Sequence, residues 1–111
     1  RMIRQWRAGN FRQFLKQAMR KQLELYGDDE RKLNALGLLY VRAGMYADAI
    51  PVFERAALHG SVSAMNNLGN IAALQKRYAD AQNWYRQALL RDPANTAAQR
   101  GLERATAERG E

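Results

Sequence analysis

The sequence predicts an all-α fold, an α-solenoid of antiparallel helix pairs, and three observations carry that expectation. The chain repeats itself: RAGMYADAIPVFERAALHG (Arg42–Gly60) lies over LQKRYADAQNWYRQALLRD (Leu74–Asp92), and Leu36-Gly37 over Leu68-Gly69, all at a shift of 32 residues. A period of this size marks stacked supersecondary units. The matching letters are apolar or small and spaced as on a helix, Leu33, Leu36, Gly37 and Tyr40 at i, i+3, i+4 and i+7, then Met65, Leu68, Gly69 and Ala72 likewise. Finally, 47% of the 111 residues are hydrophobic and only two are proline, which suits a packed helical chain.

Each element follows in order. Residues 1–8 read as the end of one helix and 10–26 as its partner, because RAGNF (Arg7–Phe11) resembles RAGMY (Arg42–Tyr46) and is followed by a stripe of Phe11, Phe14, Leu15 and Ala18. The first helix of the next pair carries Leu33, Leu36, Gly37 and Tyr40; its partner carries Tyr46, Ala49, Ile50, Phe53, Ala56 and Ala57. Gly44 suits the left-handed cap that a tight turn needs, and Pro51, close to a helix start at Tyr46, removes one early hydrogen bond. Gly37 is expected against the Ala49 region, with Tyr40 and Phe53 beside it. The second pair repeats this with Leu68, Gly69, Tyr78, Ala81, Tyr85 and Ala88. A glycine inside a helix costs about 1 kcal/mol against alanine, so two at equivalent places point to close packing. After Asp92-Pro93, Asn95 reads as an N-cap for a helix with a thin stripe of Ala98, Leu102 and Ala105. Glu103 there follows a leucine where Gly37 and Gly69 followed theirs, so this helix is expected to cap the array.

These residues resemble the tetratricopeptide repeat family. Its order of Leu-Gly, aromatic, turn glycine, aromatic, alanine, Phe or Tyr, alanine and proline is met in LNALGLLYVRAGMYADAIPVFERAA and again in LGNIAALQKRYADAQNWYRQALLRDP. The match is strong over residues 30–98 and weaker over the first 29. Ser61 stands where the closing proline is usual, and the junction before the second repeat is two residues short, resembling a Sel1-type junction. The resemblance implies one domain over 1–111: a partial repeat (1–29), two full repeats (30–61 and 62–95) and a capping helix (96–109). It also implies a right-handed superhelix whose first helices line a concave groove, and a scaffold role in binding a partner protein or extended peptide.

The residue inventory points away from catalysis. There is no cysteine and one histidine, His59, in a turn, so no metal ligand set forms. Asp48 and Asp80 repeat by symmetry as first-turn acids that complement the helix dipole, and no phosphate loop or nucleophile motif occurs. No enzyme activity, cofactor or metal is expected. No apolar run is long enough to span a membrane, and compartment cannot be read. The chain begins at Arg1, which reads as a fragment of something longer. The formal charge of +7, with Arg1, Arg4, Arg7, Arg12, Lys16, Arg20 and Lys21 before Gly27, raises a basic nucleic-acid-binding helical domain as an alternative, ranked below a protein partner. Self-assembly through exposed array ends, giving a homo-oligomer, is a third reading. Trp84 is expected to pack between repeats, whereas Trp6 is either exposed or a groove aromatic.

Expected groove residues are Arg7, Arg31, Asn34, Arg42, Asn66, Asn67 and Asn70. Asparagine both donates to and accepts from a peptide backbone, and arginine holds carboxylates bidentately, so the partner is compatible with an acidic segment. The structural set is Leu36, Gly37, Tyr40, Tyr46, Ala49, Phe53, Ala56, Leu68, Gly69, Tyr78, Ala81, Tyr85, Ala88 and Pro93.

Overall fold

The computed structural model describes residues 8–27 and 29–110. Among them six helices follow one another and no strand occurs: α1 (Ala8–Tyr26), α2 (Glu30–Arg42), α3 (Tyr46–Leu58), α4 (Val62–Leu74), α5 (Tyr78–Arg91) and α6 (Thr96–Arg109). Each packs on the next, and α4 also meets α6. The chain is thus a helical-repeat solenoid, with α2, α4 and α6 in one layer and α1, α3 and α5 in the other, extending 53 × 30 × 17 Å.

Local chemistry starts and stops the helices. Asp29, Ser61 and Asn95 take extended backbone geometry, and their side chains accept hydrogen bonds from the first-turn amides of α2, α4 and α6. Ser61, standing at the usual proline place, also donates its own N–H to the Ala56 carbonyl, a bond that proline lacks. Both helix pairs turn in the same way. Gly44 has φ +73° and Lys76, at the equivalent place, φ +61°. The next amides, of Met45 and Arg77, reach back to the Tyr40 and Ala72 carbonyls at 2.8 Å, closing the helix end. α3 runs through Pro51, which is exposed and near the helix start.

α1 is already helical at Ala8 and Gly9, where the analogy with Gly44 suggested a turn before a helix from residue 10. Gly9 lies within the described helix and does not break it, since glycine in a helix costs only about 1 kcal/mol against alanine. The expected helix end over residues 1–8 lies outside the described residues up to residue 7, as do Trp6 and the side chain of Phe11. Of the stripe, Leu15 is half-buried against the core, Phe14 is 55% exposed, and Ala18 is exposed.

The main core joins α2, α3 and α4 through Leu33, Leu36, Tyr40, Phe53, Met65 and Leu68, with Trp84 of α5 packed against it. Its shape follows from glycines facing aromatic rings. A Cβ on Gly37 would overlap the Phe53 ring, and one on Gly69 would lie 2.7 Å from Tyr85 Cε1. The nearest atoms to Gly37 are thus those of the Phe53 ring, which projects across the pair into the space a Cβ would take. α6 differs again. Its buried residues are Ala98, Gly101 and Ala105, Leu102 is half-buried and Glu103 exposed. Gly101, not position 103, faces an aromatic ring, and that ring is Tyr85 of the preceding helix. Tyr85 is therefore clamped between Gly69 and Gly101.

Candidate functional site

The first helices α2, α4 and α6 bring the asparagines together, and most of their amides bond to one another. Asn67 Nδ2 donates to Asn34 Oδ1 at 2.9 Å, tying α4 to α2. Asn66 Nδ2 donates to Asn95 Oδ1 at 3.1 Å, tying α4 to the cap of α6, and Asn66 Oδ1 is shut from solvent without a hydrogen-bond partner. Asn66 is thus committed to the helix contact. Asn70 is exposed and accepts from the Tyr85 hydroxyl at 2.5 Å. Arg31 and Arg42 are exposed at opposite ends of α2, and Arg7 lies outside the described residues. α4 carries no charged residue.

The structure adds a feature absent from the expected set. An open cleft of about 500 Å³ lies where α4, α5 and α6 meet, lined by the apolar Leu74, Tyr78 and Ala105 and by the polar groups of Asn70, Tyr85, Arg104 and Glu108. Tyr85 is 2% exposed, and burial raises its phenol pKa above the ordinary value, while the nearby Arg104 guanidinium opposes the shift. Arg104 of α6, Tyr85 of α5 and Asn70 of α4 thus line one cleft, with a hydrogen bond joining Tyr85 to Asn70. The sequence hinted at it. Asn70 and Tyr85 replace Leu38 and Phe53 of the first pair at the 32-residue shift, the apolar pair becoming a polar pair together.

Of the structural set, Leu36, Gly37, Tyr40, Ala49, Phe53, Ala56, Leu68, Gly69, Ala81, Tyr85 and Ala88 are buried, Tyr46 and Tyr78 half-buried, and Pro93 exposed. His59 caps α3 in an exposed turn. Asp48 and Asp80 stand in the first turns of α3 and α5, near Lys16 at 3.6 Å and Arg77 at 2.9 Å. Among the described residues, no group of three or more His, Cys, Asp or Glu is placed to hold a metal, and no helix is long and apolar enough to cross a membrane.

A tetratricopeptide repeat family model matches residues 34–97, and the chain belongs to that family. It is also 39% identical over 90 residues to the tetratricopeptide repeat domain-containing protein PYG7, chloroplastic, of Arabidopsis thaliana, an alignment covering 77% of this chain. The chain spans 29% of the length of that relative. Domains of this family are generally non-catalytic interaction modules, and the family suggests protein partners.

Proposed function

We propose that the chain is a non-catalytic scaffold that binds a partner protein or extended peptide along the face formed by α2, α4 and α6. The observation that supports this is that α2 and α4 expose Arg42 and Asn70, and that Asn70 lines the cleft beside α6. Stacked helix pairs present such an extended surface in place of an enclosed pocket, and a groove-bound backbone needs donors and acceptors of the asparagine kind. The helical-repeat packing and the family membership support the reading.

The test is affinity capture on the immobilised chain, comparing Arg42→Ala with Asn67→Ala against a double change on an outer helix, Asn83→Ala with Arg86→Ala, both exposed on α5. Loss of a captured protein with the first pair, and its retention with the second at unchanged helicity, is expected. The reverse pattern would move the site to the outer face. Self-association is a second reading, favoured by Leu58 and Leu90, equivalent residues that are 84% and 83% exposed. Sedimentation over a hundredfold concentration range distinguishes it, since a constant monomer mass removes it.

A further inference from the structure

The cleft at α6 narrows the partner's chemistry, and this inference rests on the groove reading above. We propose that it is a side-chain pocket for a partner segment that presents a carboxylate next to a large apolar residue: Arg104 and the Asn70 amide meet the acid, and Leu74 and Tyr78 meet the apolar group.

The hydrogen bonds already made decide which groups face a ligand. The Tyr85 hydroxyl donates to Asn70 Oδ1, which fixes the amide orientation and leaves Asn70 Nδ2 with two N–H donors on an exposed residue. Arg104 is an exposed guanidinium that lines the cleft. At Asn70 and Arg104 the groups left to a ligand are therefore donors, one of them charged, and a carboxylate is the protein group that matches them. The other walls are aliphatic and aromatic, Leu74 being 66% exposed, so a lone acid leaves most of the cleft unfilled. An apolar neighbour fills it.

The polar floor is not a repeat feature. Leu38 and Phe53 hold the equivalent places in the first pair, so neither the hydroxyl nor the amide is needed for stacking. Glu108, one turn beyond Arg104, also lines the cleft, and its like charge sets the affinity for an acid below what Arg104 alone would give.

Opposite responses to two charge changes test this. A phage-displayed library of random twelve-residue peptides is panned on the chain, and the enriched peptides are synthesised and titrated by fluorescence anisotropy. The proposal expects an Asp or Glu adjacent to Leu, Phe or Met in the enriched set. It expects about tenfold weaker binding to Arg104→Gln, the loss of one charge-assisted bond, and about two- to fivefold tighter binding to Glu108→Gln. Both side chains are exposed, so melting temperature is expected to hold. Enriched peptides that lack the acid, or that ignore both substitutions while losing affinity with Arg42→Ala plus Asn67→Ala, overturn the pocket and leave the groove reading standing. Displacement of the peptides by oligo(dT) at equal concentration overturns the pocket as a protein-segment site. Enrichment of no peptide overturns both readings.

Discussion

The positions that matter most are those where one atom more or less decides the packing. Tyr85 lies between Gly69 and Gly101, and a Cβ on either glycine would run into its ring. An isolated ring retreats from an added methyl; here the same ring carbons, Cδ1, Cε1 and Cζ, already meet both glycines. Gly101→Ala is therefore expected to destabilise by about 1–3 kcal/mol through overpacking, outweighing the roughly 1 kcal/mol of helix propensity that alanine regains. Thermal unfolding checks it, and a melting temperature at or above the parent's would contradict the clamp. Lys76 offers the reverse case. It holds the left-handed geometry that Gly44 holds in the first pair, at a cost of about 1–2 kcal/mol for a residue with a Cβ. Lys76→Gly gives back part of that to the more flexible unfolded chain, so a net gain of about 0.5–1 kcal/mol in urea denaturation is expected. Gly37, Gly69 and Gly44 were legible in the sequence because the repeat aligned them. Gly101 was not: its ring partner lies in the preceding helix, outside the Leu-Gly register, and periodicity within α6 alone gives no sign of it.

Among the elements, α6 is held unlike the others. α2 and α4 bury large apolar side chains, whereas α6 buries Ala98, Gly101 and Ala105 and relies on polar bonds. Gln82, fully buried on α5, donates to Thr106 Oγ1 at 3.0 Å and accepts from Arg109 Nη1 at 2.7 Å. Asn95 accepts from both Asn66 and the Ala98 amide, as partner and N-cap at once. The N-cap and the helix were legible from Asp92-Pro93-Ala94-Asn95. Gln82 was not, because its repeat equivalent is Ile50 and burial of an amide depends on partners 24 and 27 residues away. Gln82→Leu removes both bonds, taking a donor from Thr106 and an acceptor from Arg109, for a cost of about 1–3 kcal/mol. Because α6 packs on α4 and α5 at the end of the described array, the loss should be local. Native-state hydrogen exchange is expected to quicken in α6 and to leave α2 and α3 unchanged. Equal quickening in all three would mean that the array opens as one unit.

At the scale of the molecule, the remaining question is what a formal charge of +7 does. Polyanion binding depends on how many cations one strand meets together, and each neutralised phosphate adds about 0.9 to the slope of log affinity against log salt for duplex DNA. Among the described residues beyond α1 the cations are dispersed. Arg31, Lys32 and Arg42 lie on α2, Arg55 on α3, Arg86 and Arg91 on α5, Arg100, Arg104 and Arg109 on α6, and α4 has none. A strand following α2, α4 and α6 would thus cross an uncharged middle. The basic face of α1 is partly answered from within, since Lys16 lies 3.6 Å from Asp48 and Arg20 shares a cleft with that carboxylate. Binding to duplex DNA or RNA is therefore expected to be weak, with a slope below about 2 and no preference among sequences. The peptide-binding surface, relying on donors and one or two arginines, should lose less affinity than a polyanion site as salt rises through the screening range. Filter binding from about 50 to 300 mM salt decides the matter. A slope of several charges together with tight binding would place the basic helices, and not the face of α2, α4 and α6, at the centre of the function.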